Sequence, residues 1–146
     1  GAGIAEERAG RARSIAAETE ALSATAAGMT ALFHQRLAGR LADLLGGAAI
    51  EPQRLAQEAA VLADRCDVSE ELQRLAAHAA RLFELLDAGG EVGKAIDFLA
   101  QEFNREANTL LSKTTPLGAA GLPLTDAGLR LKAEIEKVRE QAQNLE

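Results

Sequence analysis

The stretch that decides the fold runs from Asp67 to Leu86, DVSEELQRLAAHAARLFELL. Val68, Leu72, Leu75, Ala79, Leu82, Phe83 and Leu86 recur at the three- and four-residue intervals of a helix with one apolar face. Asp67 and Glu70 read as a capping box that starts this helix, with Asp67 as N-cap and the glutamate three residues on. Gly89-Gly90 is expected to close it, because glycine readily takes the left-handed turn that ends many helices. The rest of the chain has the same character. Alanine (32 residues) and leucine (22) fill more than a third of the 146 positions, against four Val, five Ile, four Phe and no Trp or Tyr. Strands favour β-branched and aromatic residues, so the composition predicts an all-α protein and nearly excludes a sheet-based enzyme.

Working outward, Pro52 suits the first position of a helix that buries Leu55, Ala59 and Leu62. A helix from about Glu91 to Ser112 is expected to bury Val92, Ile96, Leu99, Phe103 and Leu110. Thr114 to Pro123, TTPLGAAGLP, reads as a loop. Thr125 or Asp126 then caps a last helix carrying Leu129, Leu131, Ile135 and Val138. Before Pro52, an Ala-rich helix from Ile4 to Ala27 ends at Gly28. A second helix, Thr30 to Leu45, sets Leu37, Leu41, Leu44 and Leu45 on one face and ends at Gly46-Gly47. The expectation is about six helices packed as antiparallel hairpins within an oligomeric helical assembly. Residues 1–50 form an N-terminal helical hairpin and 51–146 a C-terminal helical domain. The Ile4–Ala27 helix has a thin apolar stripe, so it is expected to pack on helices of its own or a neighbouring subunit.

Sixteen basic against 22 acidic residues give a net charge of −6, so any nucleic-acid contact must come from a local basic cluster. The single Cys66 rules out an internal disulfide or a Cys-rich zinc site. No stretch has the roughly 18 apolar residues of a membrane span, and no signal pattern opens the chain. The first residue is Gly, not Met, so the chain is expected to be either processed or a piece of a longer protein, the second being favoured. Gly-rich phosphate loops, HExxH, nucleophile elbows and aromatic stacking platforms do not occur.

The polar residues fall into stripes. Glu102, Glu106, Thr109 and Lys113 share one helix face; Asp97, Gln101, Arg105 and Asn108 lie beside them. Two carboxylates four residues apart can share a hard divalent cation, which could activate water for phosphodiester cleavage. The same spacing equally fits a solvated face with Glu102 and Glu106 paired to Arg105 and other bases. Glu71, Arg74, His78 and Arg81 form another polar edge; His78 and His34 are the only histidines. A helical histidine can bind metal, move a proton or simply hydrogen-bond across an interface. Arg54, Glu58 and Arg65 make a mixed stripe that ordinary salt bridging explains.

Several runs resemble the C-terminal half of YicC-like endoribonucleases. They are Arg54–Glu58, then Leu62–Leu75 with His78, Asp97–Leu110 with Ser112-Lys113, and the closing Leu131-Lys132, Ile135-Glu136 and Arg139–Glu146. The resemblance covers about Gln53 to Glu146; the first fifty residues match in helical character alone. It implies a bacterial, cytoplasmic, metal-dependent RNase using Mn²⁺ or Mg²⁺, assembled as a homo-oligomer, a hexamer in the complete protein, with no membrane association. Complete members carry a further N-terminal domain containing β-structure, so this chain is expected to be a C-terminal fragment. The 114–123 loop is longer and richer in Pro and Gly than the family pattern. The resemblance also raises the catalytic reading of the stripes above the solvated one. It implies Glu102, Glu106, His78 and Glu71 as catalytic residues, with Glu102 and Glu106 holding the metal, and Arg105, Arg74, Asn108 and Lys113 as RNA-binding residues. The alternative is a non-catalytic helical oligomerisation module with the chemistry in the N-terminal domain.

Overall fold

The computed structural model describes residues 2–46, 51–88 and 91–143, without the side chains of 2, 4, 5, 8, 28–33 and 37. Among the described residues there are five α-helices and one 3-10 helix, and no strand. They are α1 (Ala2–Leu44), α2 (Pro52–Arg65), α3 (Ser69–Ala88), α4 (Gly93–Thr114), the 3-10 segment (Thr115–Gly121) and α5 (Leu122–Gln143).

One expectation fails at Gly28. Instead of an N-terminal hairpin, a single helix of 43 residues passes through it. A mid-helix glycine costs only about 1 kcal/mol relative to alanine, and the Ala-rich turns on either side outweigh that. At a 1.5 Å rise, α1 is about 65 Å long. Its thin stripe is nonetheless buried: Ala12, Ile15, Thr19 and Leu22 are all under 4% exposed, and α1 packs against α2, α3 and α5. Beyond Ala27 the expected apolar face finds less cover. Leu44 and Leu45 are 75% and 40% exposed, although Arg40 on this end of α1 donates to the Pro116 carbonyl of the 3-10 segment at 3.0 Å. The side chain of Leu37, and Gly47, lie outside what is described.

Pro52 does open α2, whose buried residue is Ala59; Leu55 and Leu62 are only half-buried. At the start of α3, the Asp67 carboxylate accepts hydrogen bonds from the Ser69 amide (3.0 Å) and the Ser69 hydroxyl. The reciprocal half of the capping box is absent. Glu70 instead turns to Arg74 one turn on, at 3.5 Å. Leu75, Ala79, Leu82 and Leu85 form the buried stripe of α3, while Phe83 is 38% exposed. Gly89-Gly90 lies outside the described residues.

The expected loop at 114–123 is helical. Pro116 and Pro123 both sit in the first turn of a helix, where no intrahelical N–H is required, so neither breaks the chain. The direction change falls on Gly118, whose φ of 58° suits a residue without Cβ. Gly121 is held close under α4: a Cβ there would meet the Thr114 carbonyl oxygen at 2.8 Å. Helix α5 therefore begins at Leu122, before the expected caps Thr125 and Asp126. Leu129 is 52% exposed, while Leu124, Leu131, Ile135 and Val138 enter the core with Phe103 and Leu110 of α4.

Candidate active-site seam between α3 and α4

Helices α3 and α4 run as a hairpin, and the polar edge of one faces the polar edge of the other. At one end, Lys113 donates to Glu71 Oε1 at 2.6 Å and to the Asp67 carbonyl at 3.2 Å. One step along, Arg74 meets Glu106 Oε2 at 3.6 Å while its other nitrogen faces Glu70. Beyond that, the His78 ring packs edge-on against Phe103, centroids 5.5 Å apart. The helical periods of α3 and α4 bring Glu71, Arg74 and His78 to this seam from one side, and Lys113, Glu106 and Phe103 from the other.

The seam is dry on its acidic side. Glu71 is 2% exposed and Glu106 8%, whereas Arg74 keeps 54% of its side chain in solvent. Glu71 Oε2 is buried without a hydrogen-bond partner among the described residues. A carboxylate taken out of water needs a charged partner and full hydrogen bonding, and here the Lys113 ammonium supplies the charge at one oxygen only. Asp67, whose carbonyl Lys113 also holds, has its carboxyl pushed below the usual range by the Ser69 hydroxyl and amide bonds, with a smaller contribution from Lys113.

Glu102, Arg105 and Asn108, also singled out by sequence, make their contacts outside this seam. Glu102 pairs with Arg105 at 3.7 Å on the same helix. Asn108 accepts from Lys132 of α5 at 2.8 Å. Among the described residues His78 has no hydrogen-bond partner, so it is not joined to a carboxylate. Arg54, Glu58 and Arg65 of α2 are exposed and make no ion pair among the described residues. Sequence reasoning missed the cross-helix contacts, among them Lys113 with Glu71, Arg74 with Glu106, and Asp97 with Arg139 of α5 at 2.9 Å. Each needs the register between two helices, which a stripe on one helix does not contain. A cleft of about 520 Å³ lies on the other side of Asp67, lined by Ser23, His34, Cys66, Ser69 and Leu124 among others. Burial pushes the Cys66 thiol up, so it stays protonated at neutral pH.

For a divalent ion, Glu102 and Glu106 offer two carboxylates one turn apart, the number and kind of ligand that Mg²⁺ takes from proteins beside water and phosphate oxygens. No three of His, Cys, Asp and Glu gather as a metal-binding group among the described residues.

A family model described as "Endoribonuclease YicC-like, C-terminal" matches residues 22–146. The chain belongs to this family. The YicC-like match thus reaches well into α1, further than the motifs from Gln53 onward indicate. A probable endoribonuclease YicC of Haemophilus influenzae is 40% identical over 136 residues, covering 93% of this chain and 45% of the relative. A protein of the same description from Clostridioides difficile is 37% identical over 115 residues, covering 78% of this chain and 38% of the relative. The chain spans less than half the length of these curated relatives. No helix among the described residues is long and apolar enough to cross a membrane.

Proposed function

We propose that this chain is the C-terminal helical portion of a metal-dependent endoribonuclease that hydrolyses RNA phosphodiester bonds. The observation that carries the reading is the convergence of Glu71, Arg74, Glu106 and Lys113 on one seam, with a buried carboxylate held half-satisfied inside it. Hydrolysis adds water to phosphorus, breaks a P–O bond and protonates the leaving oxygen, while negative charge builds on the phosphoryl oxygens. Arg74, mostly in solvent, and Arg105 neutralise that charge; fixed cations stabilise it without reorganising. Lys113 is positioned by Glu71. Asn108 contributes amide donors, and His78, half-buried at the seam's edge, holds or moves a proton. Mn²⁺ or Mg²⁺ bound by Glu102 and Glu106 would supply Lewis-acid activation of water and phosphate. The complete protein works in the cytoplasm of a bacterium as a homo-oligomer, a hexamer.

A second reading has one observation in its favour: the carboxylates Glu71, Glu102 and Glu106 are each matched by a base, as in a structural interface. A non-catalytic oligomerisation module would look like this. Glu102→Gln and Glu106→Gln in the full-length protein separate the two, assayed by cleavage of a structured RNA with Mn²⁺ and with chelator. The nuclease reading expects losses of orders of magnitude with helicity intact. Near-normal cleavage by both variants moves the chemistry out of α4.

A further inference from the structure

We propose that the outward face of α4 is a single-stranded RNA track on which Phe98 stacks against an unpaired base; this rests on the endoribonuclease reading. Lys94, Phe98, Gln101, Arg105, Asn108 and Ser112 recur at spacings of four, three, four, three and four, and all six are exposed. That periodicity places them on one line along α4, about 27 Å long at 1.5 Å per residue. Phe98 is 63% exposed, although burying a phenylalanine is worth roughly 1.5–3 kcal/mol. It is the aromatic of a stripe otherwise made of cations, amides and a hydroxyl.

The charges along the line suit a polyanion. Lys94 meets no carboxylate among the described residues. Arg105 keeps 74% of its side chain in solvent. Lys132 brings a third cation from α5, and by donating to Asn108 Oδ1 it leaves the Asn108 amide N–H groups without a partner among the described residues. Of the acids on either edge, Asp97 is paired with Arg139 and accepts from the Gln101 amide, while Glu102 shares Arg105 with the line at 3.7 Å. Single-stranded RNA is held by this combination: cations along the backbone, an aromatic face for a base, and amide donors for base edges and the 2′-OH. A protein partner burying Phe98 would not call for a line of amide donors and cations running the length of the helix.

The test uses the full-length protein, a fluorescein-labelled single-stranded oligoadenylate, and anisotropy in chelator so that nothing is cut. Phe98→Ala is expected to weaken binding about ten-fold, from the usual range for a lost base–aromatic stack, and Phe98→Tyr to retain it. Lys94→Ala is expected to lower the slope of log affinity against log salt by about one, the signature of a lost phosphate contact. Light scattering on the same samples should show unchanged oligomeric mass. Phe98→Ala binding within about two-fold of the parent overturns the proposal. So does a change of mass with affinity preserved, which would make Phe98 a subunit contact. A parent protein that cuts RNA while Phe98→Ala binds normally defeats the track alone. A parent that neither binds nor cuts RNA defeats the endoribonuclease reading with it.

Discussion

Between α3 and α4, Glu71 meets Lys113 at 2.6 Å with 3% of the glutamate side chain exposed; between α1 and α5, Glu18 meets Arg130 at 3.5 Å with 29% exposed. A second α1–α5 pair, Arg11 with Glu134 at 3.4 Å, is also open to water at 29% and 19%. Both seams join helices through opposite charges, yet their energetics differ in kind. At α1–α5, water already screens each charge, and the pairs add little beyond the packing of Ile15 and Leu22 beneath them. At α3–α4 the carboxylate has lost its hydration, and the Lys113 ammonium is the opposite charge that faces it. The α1–α5 pairs thus decorate a packed interface, whereas the α3–α4 pair constrains which residues can occupy its seam.

Removing one partner should expose the difference most sharply at the dry seam. Lys113→Met leaves Glu71 buried and uncompensated, at an expected cost of roughly 3–5 kcal/mol in urea unfolding. The double variant Glu71→Gln/Lys113→Met should recover much of that loss, since a neutral amide needs no counter-ion. A single-variant cost below about 1 kcal/mol would put the seam in the same class as α1–α5.

Asp67 sits where the dry seam begins, and it sharpens the contrast through pH. Its folded carboxyl is held below the usual value of 3.8, so its contribution to stability is present above that pH and fades as pH falls through the folded value. Asp67→Ala should cost about 1 kcal/mol at neutral pH, as for a lost helix cap, and the gap between variant and parent should narrow in unfolding curves taken below pH 3.8. A constant gap would assign the effect to something other than the carboxylate. The smallest change is expected at the wet seam. Arg11→Ala and Arg130→Ala should each shift stability by about 0–1 kcal/mol, and added salt should erase the shift.

How much of this was legible in sequence depended on how local the information was. The α3 stripe was readable because Leu75, Ala79 and Leu82 carry their period within one helix, and the all-α class followed from composition. Gly28 and the 114–123 segment were misread for one reason. Glycine and proline break helices on average, but the cost is modest or absent where neighbouring turns are strong helix formers or the proline N–H is not needed. Stripes foresaw that Glu71, Arg74, Glu106 and Lys113 were polar edges. That Arg74 would reach Glu106 while Glu102 stayed with Arg105 depends on the rotation of α3 against α4, which only the packed core sets.

The long first helix has a consequence for how the chain comes to be folded. Its packing surface is completed by α5, with contacts joining residues more than 110 positions apart, such as Arg11 with Glu134 and Glu18 with Arg130. On the ribosome, α1 emerges well before α5 exists. At about 5–20 residues per second, the buried side of α1 waits on the order of ten seconds for its last partner. The thinness of that stripe, alanines punctuated by Ile15 and Leu22, then acquires a second value: a nascent helix presenting small side chains has little for other unfinished chains to stick to.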